Sequence, residues 1–186
     1  MTNRASYAPG AAFGADVRKA GETWTLVLVR TLRHPPTAVW RALTDPAELR
    51  EWAPFDVDRN LGAVGPAKLT TVGAPAVHIT DGNVTRAEAP SLLEFTWGGN
   101  NMRWELEPVA AGTRLTLWHN INRHFIAMGA AGWHICLDVL DRFLENQPIG
   151  RIVAADAMQF GGWRRLHAEY AKQFGVETPD WPTHPK

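Results

Sequence analysis

Pro36-Thr37-Ala38-Val39-Trp40-Arg41-Ala42-Leu43-Thr44-Asp45-Pro46-Ala47-Glu48-Leu49-Arg50-Glu51-Trp52 is the stretch that decides the fold. Pro36 suits the first turn of a helix, where its missing N–H removes no bond, so Thr37 to Thr44 predicts a short helix. Asp45 then offers a side-chain cap, Pro46 a second first-turn position, and Glu48 the reciprocal half of a capping box. A second short helix is expected to run to about Trp52 and to stop before Pro54. Upstream, Trp24 to Leu32 is apolar and β-branched, a strand ended by Pro35-Pro36. One strand followed at once by two short helices is an uncommon order.

Downstream the pattern changes to strands. Candidates are 55–60, 67–72, 76–85, 92–97, 102–108 and 113–121, with Gly and Asn at the joints. Connections this short make neighbours antiparallel. Leu93, Phe95 and Trp97 share one face, with Glu94 and Thr96 opposite. Met102, Trp104 and Leu106 repeat the alternation across the turn at Gly98-Gly99-Asn100-Asn101. In the last strand Leu115, Leu117 and His119 share a face. Such a sheet has one apolar and one wet side and needs a cover. Gly132 to Asn146 supplies it: Trp133, Cys136, Leu137, Leu140, Phe143 and Leu144 recur at helical spacing. Residues 151–160 are weakly helical. Trp163, Leu166, Tyr170 and Phe174 form a second stripe ending at Gly175, which needs a surface on this domain or on a second copy, so a homodimer is open.

Four segments in this order resemble the START-like, or SRPBCC, superfamily. The Pro36–Pro46 stretch with Leu49 and Trp52 is similar to its opening signature, most closely in the branch named for the activator of the heat-shock chaperone ATPase. Leu93-Glu94-Phe95-Thr96-Trp97 resembles its central strand. Gly112-Thr113-Arg114-Leu115-Thr116-Leu117 resembles its last strand, and Gly132-Trp133 with Leu137 and Leu140 the start of its closing helix. The ending Trp163–Gly175 is also common in that branch. The resemblance implies an α+β helix-grip fold: a curved antiparallel sheet of six or seven strands wrapped on a long C-terminal helix, with two short helices after the first strand. It covers residues 22–175, leaving 1–21 as a loosely ordered arm and 176–186 as a tail. The segment 147–161 is extra to the pattern. The superfamily at large binds hydrophobic small molecules, and some branches act on them.

Composition closes several functional classes. The 186 residues carry 19 basic and 19 acidic side chains, a net charge of zero that steers nothing towards nucleic acid or a membrane surface. One cysteine, Cys136, allows neither an intrachain disulfide nor a cysteine zinc site, and it sits on an apolar helical stripe as a small hydrophobe. The first 20 residues lack a signal-like apolar run, and no stretch of about 18 apolar residues exists, so cytoplasmic residence is expected. Serine occurs only at Ser6 and Ser91, outside any nucleophile elbow. There is no phosphate-binding glycine loop or dinucleotide fingerprint, none of the seven histidines has helical zinc spacing, and no cofactor or metal is expected.

What remains is an apolar concavity rich in tryptophan, of which the chain has nine. Trp52, Phe55, Phe95, Trp97, Trp104, Leu106, Leu117, Trp133 and Leu137 are expected to line it, with His119 and His134 at a polar end. The leading expectation is a domain that binds a small apolar or amphipathic molecule, without a defined catalytic activity. Imidazole titrates near neutral pH, so a cyclase, dehydratase or hydrolase using a cavity histidine is a second reading. A co-chaperone-like interaction domain with a filled core is a third.

Overall fold

A computed structural model describes residues 4–178 of the chain. Strand β1 (Ala15–Ala20) is followed by β2 (Thr23–Leu32), then by helices α1 (Pro36–Thr44) and α2 (Pro46–Trp52). Six strands follow: β3 (Phe55–Val57), β4 (Gly65–Thr71), β5 (His78–Glu88), β6 (Leu92–Trp97), β7 (Asn100–Val109) and β8 (Gly112–Asn120). Helices α3 (Ile126–Leu144), α4 (Ala154–Gln159) and α5 (Trp163–Phe174) complete the chain. All eight strands form one antiparallel sheet in the order β1-β2-β8-β7-β6-β5-β4-β3. It curls around α3, which makes the fold the α+β helix grip that the sequence implied.

The strand count differs from the expected six or seven because of the N-terminal segment. Expected as a loosely ordered arm, residues 15–20 pair with β2 from Ala15↔Leu28 to Ala20↔Thr23. Gly14 and Gly21, both at a φ of 60°, bracket this strand. Tyr7 is buried further upstream, and its hydroxyl donates to Asp138 of α3 at 2.8 Å. Its six residues are mostly exposed and give no clean apolar period, which is why the sequence reads as an arm. Residues 179–186 of the expected tail lie outside the described residues.

The two short helices share one residue. Asp45 accepts from the Ala47 N–H at 2.8 Å, capping α2, while its own N–H donates to the Arg41 carbonyl and closes α1. That second bond corrects the capping-box expectation: Asp45 has no free N–H for Glu48 to accept. The Glu48 carboxylate turns to Arg41 instead.

The sheet's two faces follow the alternation. Leu93 pairs with Trp104 and Phe95 with Met102 across the β6–β7 ladder, and all four are buried. Gly98 and Gly99, both at positive φ, form the two-residue turn between them. On the outer face Arg103 pairs with both Glu94 and Glu105. The long helix begins six residues earlier than the periodicity predicts. Ala127, Gly129, Ala130 and Ala131 lie before the expected start at Gly132 yet are helical, and at Gly129 the missing side chain lets α3 approach Ile121. The stripe Trp163, Leu166 and Tyr170 of α5 is buried on this same domain, against α3.

Candidate functional site

Most of the space between the sheet and α3 is filled. Trp52 is fully buried, its indole N–H donates to the Ala42 carbonyl at 3.0 Å, and its ring meets Trp104 edge-to-face at 6.0 Å between centroids. Trp104 in turn meets Trp133 of α3 at 5.5 Å. Phe55 packs on Phe95 at 5.8 Å and on Trp97 at 5.0 Å. Edge-to-face contacts of this kind fix ring positions in a dense core. Leu106, Leu117 and Leu137 are buried around them.

At one end the filling stops. A cavity of about 190 Å³ lies where β6 and β8 end and α3 begins. Trp97 and His119 close it from the sheet, with Ile121 just beyond β8. Gly129, Gly132, Trp133 and Cys136 form its α3 wall. Pro54, Val153, Ala154 and Ala157 close the remaining side, so α4 and the residue before it are part of the site. The extra segment 147–161 therefore has a structural role, as one wall of this cavity. Of the residues expected from sequence, Trp97, His119 and Trp133 line it. Trp52, Phe55, Phe95, Trp104, Leu106, Leu117 and Leu137 belong to the packed core beside it.

Sequence reasoning missed the small residues. Gly129, Gly132 and Cys136 recur at three- and four-residue spacing, a strip of low bulk along one side of the helix. A Cβ at Gly132 would meet nothing within 4 Å. That strip is a legible signal: a helix expected to plug a sheet is left thin at one level.

His119 supplies the cavity's polar group. Its Nδ1 accepts from the indole N–H of Trp133 at 3.0 Å. Indole nitrogen only donates, so Nδ1 carries no proton and, in the neutral ring, Nε2 does. Nε2 is buried and has no hydrogen-bond partner. Burial lowers the His119 pKa to about 4, which keeps the ring neutral at pH 7. In that state Nε2–H is a donor and Nδ1 is engaged, so the ring has no lone pair free to act as a base. Trp97 stacks over it at 6.1 Å. The neighbouring thiol of Cys136 is pushed up to about 12, chiefly by burial, and stays protonated.

The structure separates the two histidines that the sequence paired. His134 follows Trp133 by one residue, about 100° around the helix, and faces α5 and the N-terminal segment instead of the cavity. Its Nδ1 lies 2.8 Å from the Tyr170 hydroxyl, which donates to the Phe13 carbonyl at 3.2 Å. Phe13 also meets the His134 ring edge-on and carries the Arg30 guanidinium over its face. Burial, with Arg30 and Arg165 nearby, lowers His134 to about 4. This cluster anchors the segment before β1. A second hollow, about 390 Å³, lies across Thr25, Thr85, Glu94, Arg103, Trp118 and Asn120 towards the outer sheet face. Its charged groups are already paired with one another, which leaves the inner cavity as the stronger candidate.

A curled sheet gripping a long helix, with a residual apolar cavity at one end, defines a START-like domain. The chain belongs to the family described as activator of Hsp90 ATPase homolog 1-like protein, whose model matches residues 33–145. Among solved structures it is similar to a conserved protein of unknown function from Enterococcus faecalis (EF2215), at 19% identity and a TM-score of 0.66, over 88% of this chain and 92% of that one. It is also similar to CalU16 from Micromonospora echinospora, at 22% identity and a TM-score of 0.59, over 91% and 97%. Protein MLL2253 from Mesorhizobium loti matches at 26% identity and a TM-score of 0.58, over 66% and 97%. No curated protein matches the chain. No helix among the described residues is long and apolar enough to cross a membrane.

Proposed function

We propose that this domain buries one small apolar or amphipathic molecule in the cavity between Trp97, Trp133 and α4. The observation that carries the reading is a packed aromatic core that gives way, at one end, to a hollow of about 190 Å³ lined by His119, whose Nε2 has no partner. Apolar concavities with few polar groups are the usual form of a small-molecule site. The family's general character as a ligand-binding fold agrees with it. The ring chemistry of His119 favours holding a ligand over transforming it, because the neutral ring has no basic nitrogen free. A reducing compartment suits a chain with one buried free thiol, so cytoplasmic residence is part of the proposal.

The filled core around Trp52 and Trp104 favours a second reading, a co-chaperone-like interaction domain whose cavity is incidental. Native mass spectrometry of freshly purified protein separates the two. The binding reading expects a small-molecule adduct that is lost on denaturation and absent from Gly132→Leu, whose side chain would occupy the open space at the wall. A bare mass for wild type, with tryptophan emission unmoved by any apolar compound, would hand the function to the interaction reading.

A further inference from the structure

The size and polarity of the cavity together restrict what it can hold. An apolar cavity of roughly 150 Å³ accepts benzene, and pockets for drug-sized ligands span roughly 300–1,000 Å³. At about 190 Å³ this cavity falls near the first figure and below the second range. A single ring with a short substituent fits within it; much of a long acyl chain or a fused polycycle would have to lie outside. Its flat walls, Trp97 and Trp133, suit a ring.

The polar requirement comes from the hydrogen-bond pattern. Trp133 holds His119 in one tautomer, leaving Nε2–H as the donor without a partner. Nε2 is already dry and unpaired in the free protein, so a ligand that brings it an acceptor gains a bond that a purely apolar ligand does not. A ligand with a charged carboxylate meets the opposite problem. No Lys, Arg, Asp or Glu lines the cavity among the described residues, so a buried anion would have no countercharge. Resting on the binding reading above, we infer that the site selects a compact, neutral, monocyclic molecule bearing one carbonyl-type acceptor, with the ring against Trp97 and Trp133 and the acceptor on His119 Nε2–H. His119 is then the specificity-determining residue, and Trp133 the positioning residue that fixes its tautomer.

Four probes test this by calorimetry on the full chain: acetophenone, ethylbenzene, benzoate and laurate. Acetophenone is expected to bind about tenfold or more tightly than ethylbenzene, which matches its shape without the acceptor, and than benzoate, which adds a charge. Laurate is expected not to bind. In His119→Phe the preference for acetophenone over ethylbenzene should vanish. Should that variant fail to fold, the Nε2–H proton resonance of wild-type His119 decides: it should move downfield with acetophenone and stay in place with ethylbenzene. Equal binding of ethylbenzene or benzoate would overturn the acceptor requirement while leaving the cavity a binding site. Laurate binding without the single-ring compounds would overturn the size limit. If none of the four binds, the inferred selectivity is overturned, while the binding reading is decided separately by the native mass measurement.

Discussion

His119 ties the chemistry of the site to the stability of the fold. Its pKa is depressed from 6.5 to about 4 by burial. Between these values the unfolded chain takes up a proton that the native ring refuses, so stability falls as pH falls. The contribution is fully present above about pH 6.5 and is lost progressively on acidification, the loss reaching about 3 kcal/mol by pH 4. His134, also lowered to about 4, adds a slope of the same sign, and half-buried Asp138, whose pKa is raised, opposes them. The difference between wild type and His119→Gln isolates one ring. Urea midpoints measured from pH 4 to 7 should fall less steeply in the variant, and parallel curves would mean that His119 is not held neutral. Asp45 makes a second residue-scale prediction. Losing its bond to the Ala47 N–H in Asp45→Ala should cost about 1 kcal/mol, read as a lowered denaturant midpoint.

At the scale of elements, α3 is the informative one. Gly132 sits mid-helix with open space beside it, so Gly132→Ala should stabilise by about 1 kcal/mol through helix propensity alone. At Gly129 an added Cβ would lie 2.6 Å from the Ile121 Cδ1 atom, so Gly129→Ala should gain less. Thermal unfolding of the two variants checks the order; a larger gain at Gly129 would misplace the small-residue strip. Helix α5 makes a different prediction. A chain ending at Pro148 loses the cover of Trp163, Leu166 and Tyr170 together with the α4 wall, and it should aggregate on purification. Elements with strong periodicity were legible in the sequence: β6 and β7 by their alternation, α5 by its stripe, α2 by Asp45-Pro46. The start of α3 was not, because Gly and Ala give no period of large apolar residues and the two glycines lower helix propensity. Strand β1 escaped for a similar reason. It is a half-exposed edge strand, and it is held by pairing to β2 and by Tyr7 and Phe13 upstream, none of which leaves a period in the sequence.

For the whole molecule, the alternation correctly placed a large aromatic set inside, but it could not say which members pack and which stand at a void. Trp52 and Trp104 face the same interior as Trp97, and only the arrival of Gly129 and Gly132 opposite Trp97 makes one end hollow. Pairing His119 with His134 failed because neighbours on a helix point about 100° apart, one to the cavity and one to α5. Segment 147–161 showed no strong pattern because its task is to close a small opening with Val153, Ala154 and Ala157. The central claim is that this opening, and not the groove towards the outer sheet face, receives a ligand. Indole N–H signals followed by NMR during an acetophenone titration test it most directly. Shifts should be confined to Trp97 and Trp133, with the ring protons of His119 and the amides of Gly129, Gly132 and Ala157 moving alongside, while Trp118 at the outer groove and Trp52 in the packed core stay fixed. Shifts centred on Trp118, or none at saturating acetophenone, would contradict it.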